Sequence, residues 1–259
     1  MPYLEKTIKC GDYVHTQRYF AAHTGKRIPR QGIEKESAED QRKRNDRHAR
    51  FRLECLLQTN FPQGTFITLT HREKIPIEEQ EAKRRANRYI RDLREDMKKH
   101  GEELRYILIH EQQGGRWHHH LITNETSLDA VAKLWEKGRV IPSRLDKAQG
   151  YSDLAAYLTE QHKPPKGKPE AENGKTTRRK HGRRWISSRN LIQPVVKVRE
   201  IKRTGVMNKY PKAKKGYQLL PNWTCGSDMA GNVWQHFTCV KIPEPGKAHS
   251  RKKGRVNSG

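Results

Sequence analysis

The chain has 259 residues and carries 54 Lys and Arg against 29 Asp and Glu, a formal net charge of +25. That balance favours a polyanionic partner, nucleic acid above all, because each phosphate neutralised by Lys or Arg releases condensed counterions. Without a long apolar run or a basic amphipathic helix bearing bulky aromatic residues, the sequence disfavours the membrane surface as the alternative destination of this charge.

Residues MPYLEKTIKC at the N-terminus contain no apolar signal-peptide core, so a cytoplasmic location is expected. Next, Gly11-Asp12 sits between two short β-forming stretches and predicts a hairpin, followed by an irregular segment, GKRIPRQG. Ser37 has the character of an N-cap, and Ala49, Leu53, Leu56 and Leu57 recur at helical spacing, which predicts a helix over about 38–59 that ends near Asn60 and Pro62. Residues 1–60 are therefore read as an accessory hairpin and helix.

GTFITLTH follows, with Phe66, Ile67, Thr68 and Leu69 as β-formers after Gly64. A second helix is expected over 78–100, where Ala82, Ala86, Ile90, Leu93 and Met97 make one apolar stripe. LRYILIHE, 104–111, and RWHHHLIT, 116–123, predict antiparallel strands joined by a tight QQGG connection. LDAVAKLWEK predicts a third helix over about 127–137, and YSDLAAYLTEQH a fourth over 151–162.

From Lys163 to Arg184 the composition turns basic and almost free of apolar residues, which predicts a flexible loop. Pro194 then opens an extended VVKVREI. A catalytic domain over 61–205 and a basic C-terminal extension over 206–259, disordered from about 246, complete the expected organisation.

Three successive histidines interrupt RWHHHLIT. Side chains on a strand alternate faces, so His118 and His120 point one way and His119 the other. A pair at i, i+2 on a rigid strand suits a divalent ion, and the bland alternative is a wet strand with several polar residues. Four cysteines at 10, 55, 225 and 239 are too scattered for a disulfide framework and are read as reduced thiols. Cys225, His236, Cys239 and His249 match no common zinc spacing.

FITLT at 66–70, the Glu111 to His120 region, and Tyr157 within DLAAYLTE together resemble the HUH endonucleases, in particular rolling-circle replication initiators of bacterial plasmids, phages and mobile elements. SSRNLIQP resembles the stretch that follows the tyrosine helix in that family, and the likeness spans roughly residues 60–200. His119 stands where the family usually has an apolar residue, and Glu160 where it often has Lys, the nearest basic residue being Lys163.

The resemblance implies an α+β fold with a central antiparallel β-sheet and flanking helices, a ferredoxin-like or RRM-like core. It also implies Tyr157 as the catalytic nucleophile, and Mn²⁺ or Mg²⁺ bound by His118, His120 and Glu111, with His110 a weaker candidate on the other side of its strand. We expect the helices mainly on one sheet face and the metal site on the open one. Tyr151 lies about 600° of helical rotation from Tyr157, so one tyrosine is expected to act.

Lys163, Arg178, Arg179, Arg183 and Arg184 are read as phosphate contacts. Trp185 is read as a base-stacking residue or, equally, a core residue. Thr68 and Thr70 are read as scaffold or DNA-proximal. Expected partners are single-stranded or hairpin origin DNA with the host polymerase and helicase. A relaxase or transposase of the same chemistry, or a non-enzymatic nucleic-acid binder, are the alternatives.

Overall fold

A computed structural model of the chain describes residues 3–21, 37–73, 77–113, 116–146, 150–160, 184–202, 210–228 and 231–243. In chain order the elements are β1 Tyr3–Cys10, β2 Tyr13–Phe20, α1 Ala38–Asn60, β3 Gly64–Thr70, α2 Glu79–Lys99, β4 Tyr106–Gln113, β5 Arg116–Asn124 and α3 Leu128–Lys133. They continue with β6 Val140–Arg144, α4 Ser152–Glu160, β7 Ile186–Ser187, β8 Val195–Ile201, β9 Tyr217–Leu219, β10 Thr224–Ser227 and β11 Val233–Lys241. The fold is α+β with two antiparallel sheets. None of the described residues forms a helix long and apolar enough to cross a membrane.

The chain divides into two compact units, residues 28–195 and residues 1–27 with 196–259. This differs from the linear division expected above, in which 1–60, 61–205 and 206–259 stand apart. Pairing of β11 with β2 joins the two chain ends in one sheet, and such long-range pairing leaves no signature in the local sequence.

The larger unit holds a sheet of order β6-β3-β5-β4-β7. Its register places Phe66 opposite Ile122, Thr68 opposite His120 and Thr70 opposite His118, while Ile109 faces His120 and Glu111 faces His118 across β4 and β5. With a period of two, one face carries Phe66, Thr68, His118, His120, Ile122, Ile107, Ile109 and Glu111. The other carries Ile67, Leu69, Leu121, His119, Leu108 and His110.

Both faces are covered. On the first, Ile107, Ile109 and Ile122 pack with Leu53, Leu56, Leu57 and Phe61 of and after α1, and with Tyr151, Ala155 and Leu158 of and before α4. Against the second, α2 packs Ala86, Tyr89, Ile90, Leu93 and Met97, and Val131 and Trp135 close the layer. Each fully buried aliphatic side chain here contributes about 1.5–3 kcal/mol relative to exposure. The expectation of helices mainly on one face and an open metal-site face is therefore corrected: α1 and α4 cover the isoleucine end of the first face and leave the His118 and Glu111 end to the surface.

Local chemistry explains the helix ends. Ser37 Oγ accepts from the Asp40 amide at the start of α1, and Ser127 Oγ from the Ala130 amide at the start of α3. Asn60, buried at the end of α1, donates Nδ2 to the Ile192 carbonyl at 2.9 Å, and its Oδ1 accepts from the Ile192 amide at 2.8 Å. Ser188 exchanges bonds with the Tyr106 backbone at 3.0 Å in each direction. SSRNLIQP thus braces β4 to α1.

The sequence pattern predicts no strand where the structure has β6. It is an edge strand containing Pro142, whose missing amide demotes a strand reading from sequence but is tolerated at an edge. Gly138 lets the preceding turn approach β3, since a Cβ there would lie 2.0 Å from the Thr70 carbonyl oxygen.

In the smaller unit β1 and β2 form the expected hairpin, with Gly11 at φ +57° as the first of two turn residues. The sheet runs β10-β11-β2-β1-β8, and β9 also pairs with β11. The extended VVKVREI forms β8, as its composition predicts. Strands β9 to β11 occupy what was expected to be a basic extension, and the tail from 246 lies outside the described residues.

Candidate active site

Glu111, His118 and His120 lie on neighbouring positions of β4 and β5 on one sheet face. His120 is 3% exposed. Its Nε2 stands 2.9 Å from Glu111 Oε2, and its Nδ1 stands 3.2 Å from Thr68 Oγ1. Phe66 stacks on the imidazole, with ring centroids 5.5 Å apart and planes 7° from parallel. The ring is thus held on both nitrogens and one face.

Thr68 has a role its sequence reading did not include. A hydroxyl both donates and accepts, so it can hold His120 with either nitrogen protonated. With Nε2 donating to Glu111, Thr68 donates to Nδ1; were a cation to take the Nε2 lone pair, Nδ1 would donate to Thr68. Orienting partners of this kind accompany most metal-binding histidines. The signal in the sequence was register: Thr68 faces His120 only once β3 and β5 are paired.

Imidazole nitrogen and carboxylate oxygen are donor types that suit a divalent cation, and of the three residues it is Glu111 Oε2 and His120 Nε2 that the sheet brings to 2.9 Å. Burial pushes the His120 pKa down, and the Glu111 carboxylate opposes that shift. An imidazole that is readily neutral is the form that ligates a metal.

Tyr157 projects from α4 beside this group. Tyr151, Ala155 and Leu158 bury the inner stripe of the helix, whereas Tyr157 is 50% exposed and meets the His120 ring edge to face at 5.7 Å. It is therefore not a core tyrosine. Tyr151 is: it is 2% exposed, and its hydroxyl donates to the Phe61 carbonyl.

On the opposite sheet face His119 is fully buried. His119 Nδ1 bonds His110 Nδ1 at 2.8 Å, and His119 Nε2 bonds His71 Nε2 at 3.0 Å. Burial pushes His119 down to about 2 and His110 to about 4, so both are neutral near pH 7. Neutral His119 donates to one neighbour and accepts from the other. The sequence left His119 spare and His110 as a weak ligand; the sheet makes them a packed polar row facing away from Glu111.

Arg184 bonds Asp46 on α1, and Trp185 is partly buried against the cluster that holds Leu53, Leu57 and Leu158. Thr70 bonds the Arg139 backbone through its hydroxyl, a scaffold role. Lys163, Arg178, Arg179 and Arg183 lie outside the described residues. The four cysteines are free thiols.

Residues 64–162 match a family model described as Replication-associated protein ORF2/G2P. The matched stretch opens at the first residue of β3 and includes Thr68, Glu111, His118, His120 and Tyr157. No curated protein and no solved structure matches the chain.

Proposed function

We propose that this protein initiates replication by nicking single-stranded origin DNA, forming a 5′-phosphotyrosine link and a free 3′-hydroxyl, and that it rejoins the strand at termination. The match of residues 64–162 to a replication-associated family supports the role in replication. The convergence of the Glu111–His120 pair and the half-exposed Tyr157 phenol on one corner of the sheet carries the chemistry.

Glu111, His118 and His120 would hold Mn²⁺ or Mg²⁺, which supplies charge neutralisation at the scissile phosphate. Thr68 and Phe66 fix the His120 ring for that task. The Tyr157 oxygen attacks phosphorus and loses its proton to solvent; the new O–P bond forms as the bond to the 3′ oxygen breaks, and that oxygen leaves as the primer end for the host polymerase. Attack by a 3′-hydroxyl on the phosphotyrosine reverses the step and closes the strand. The phosphodiester energy is conserved throughout, so no nucleotide cofactor is needed.

Incubating the protein with Mn²⁺ and single-stranded origin DNA tests this reading. A protease-sensitive DNA adduct that maps to Tyr157 is expected. Hydrolytic cleavage without an adduct, or binding without cleavage, would replace it with a different nuclease or a non-enzymatic binder. A relaxase or transposase would form the same adduct on a transfer origin or a transposon end.

A further inference from the structure

The smaller unit holds a feature that the nicking site does not use. The described residues of this unit carry 10 Lys and Arg against 4 Asp and Glu, so its folded part is itself basic. Its sheet is paired so that Thr224 faces His236 and His236 faces Gln17, while Gln17 faces Lys6. Four adjacent strands thus contribute one row to one face. The next row on that face brings Trp234, opposite Gly226, and Tyr19, opposite Leu4.

These positions are open to solvent: His236 and Thr224 are exposed, and Lys6, Gln17, Tyr19 and Trp234 are partly so. Further along the same face Ile8, Cys10, Tyr13 and His15 are buried. The indole of Trp234 lies over Gly226, where a Cβ would stand 2.8 Å from Cζ2 and 3.1 Å from Cε2. Glycine therefore lets the ring settle onto the strand. His236 lies beside it, with ring centroids 5.1 Å apart and planes at 44°.

We propose that this face is a second nucleic-acid site, one that binds single-stranded DNA by stacking unpaired bases on Trp234, His236 and Tyr19. Lys6 supplies a phosphate contact and Gln17 a base-edge hydrogen bond. An array of rings on a basic antiparallel sheet suits bases that have left the duplex, because every base offers a π-face whatever its sequence. The charge balance selects a polyanion over an apolar peptide as the occupant. The proposal does not depend on Tyr157 chemistry.

The test uses full-length Tyr157→Phe protein, so that binding is read without cleavage. A single-stranded oligodeoxythymidine bearing 5-iodouracil is photo-cross-linked and the adducts are mapped by mass spectrometry. Adducts at Trp234, Tyr19 or His236 are expected. His236→Ala, at an exposed position, and Trp234→Ala should each weaken binding about tenfold by fluorescence anisotropy, whereas Trp234→Phe should stay within a few fold of the parent. A duplex of equal length should bind this face less well and give fewer adducts on it. Adducts confined to residues 28–195, or unchanged affinity in both His236→Ala and Trp234→Ala with equal cross-linking of duplex, would overturn the proposal. Its failure would leave the nicking assay untouched, and failure to nick would leave these adducts in place.

Discussion

The imidazole of His120 and the phenol ring of Tyr157 meet edge to face, with centroids 5.7 Å apart and planes at 74°. One comes from the middle of a buried strand and the other from an outer helix. The contact arises because Tyr151, Ala155 and Leu158 anchor α4 over Ile107 and Ile122, leaving the next helical position to overhang the polar end of the same face.

Tyr157→Phe keeps this ring contact and removes only the hydroxyl. We expect loss of the covalent adduct by at least two orders of magnitude, with DNA affinity within about twofold of the parent. Denaturing gel electrophoresis of labelled oligonucleotide reads the first and anisotropy the second. Adduct formation at the parental rate would move the nucleophile elsewhere.

Thr68→Val is nearly isosteric and removes the hydroxyl that orients His120. Mn²⁺ affinity should fall about 10–100-fold while the thermal midpoint changes little, because the side chain stays β-branched within a strand. Calorimetric titration of Mn²⁺ into both proteins measures this. Equal affinity would mean that Thr68 does no more than pack.

Removing His119 should destabilise the larger unit in a coupled manner. His119→Leu strips partners from His110 Nδ1 and His71 Nε2, while His110 Nε2 and His71 Nδ1 already have none. A cost of about 1–3 kcal/mol is expected. Adding His110→Leu to that variant should cost less than His110→Leu alone, since the second change removes a polar group already stranded. Additive losses in a double-mutant cycle by urea unfolding would argue against a connected row.

Glu5 supplies the pH prediction. It is buried between Arg18, whose Nε stands 2.8 Å from Oε2, and Arg199, whose Nε stands 2.8 Å from Oε1. Burial alone would raise its pKa, but the two guanidinium groups outweigh that and hold it below the ordinary 4.5. Its contribution to stability is therefore present above about pH 4.5 and is lost as pH falls through the lowered folded value. Glu5→Gln should cost about 2 kcal/mol at pH 7, less than a fully buried pair because Arg199 is 70% exposed, and should flatten the acid limb of the stability curve. Parallel curves for variant and parent between pH 5 and 3 would contradict this account.

Gly138→Ala tests the close approach of the turn before β6. A Cβ placed 2.0 Å from the Thr70 carbonyl oxygen forces the backbone apart, at a cost of about 1–3 kcal/mol. A lower melting temperature is expected, and an unchanged one would show that the turn relaxes freely.

Sequence alone determined the elements whose pattern is local. Apolar spacing marked α1 and α2, the Gly11 turn marked the first hairpin, and alternation on β5 separated His118 and His120 from His119, because side-chain direction follows directly from backbone period. Only tertiary structure decided what depends on pairing between distant segments. It set Thr68 against His120, joined His119 to His71 and His110 on the far face, and brought Tyr157 over the sheet. It also closed β11 onto β2, uniting the two ends of the chain in one sheet. Those relations are fixed by strand register and by which apolar stripe each helix buries, two quantities that belong to the packed chain and to no single stretch of it.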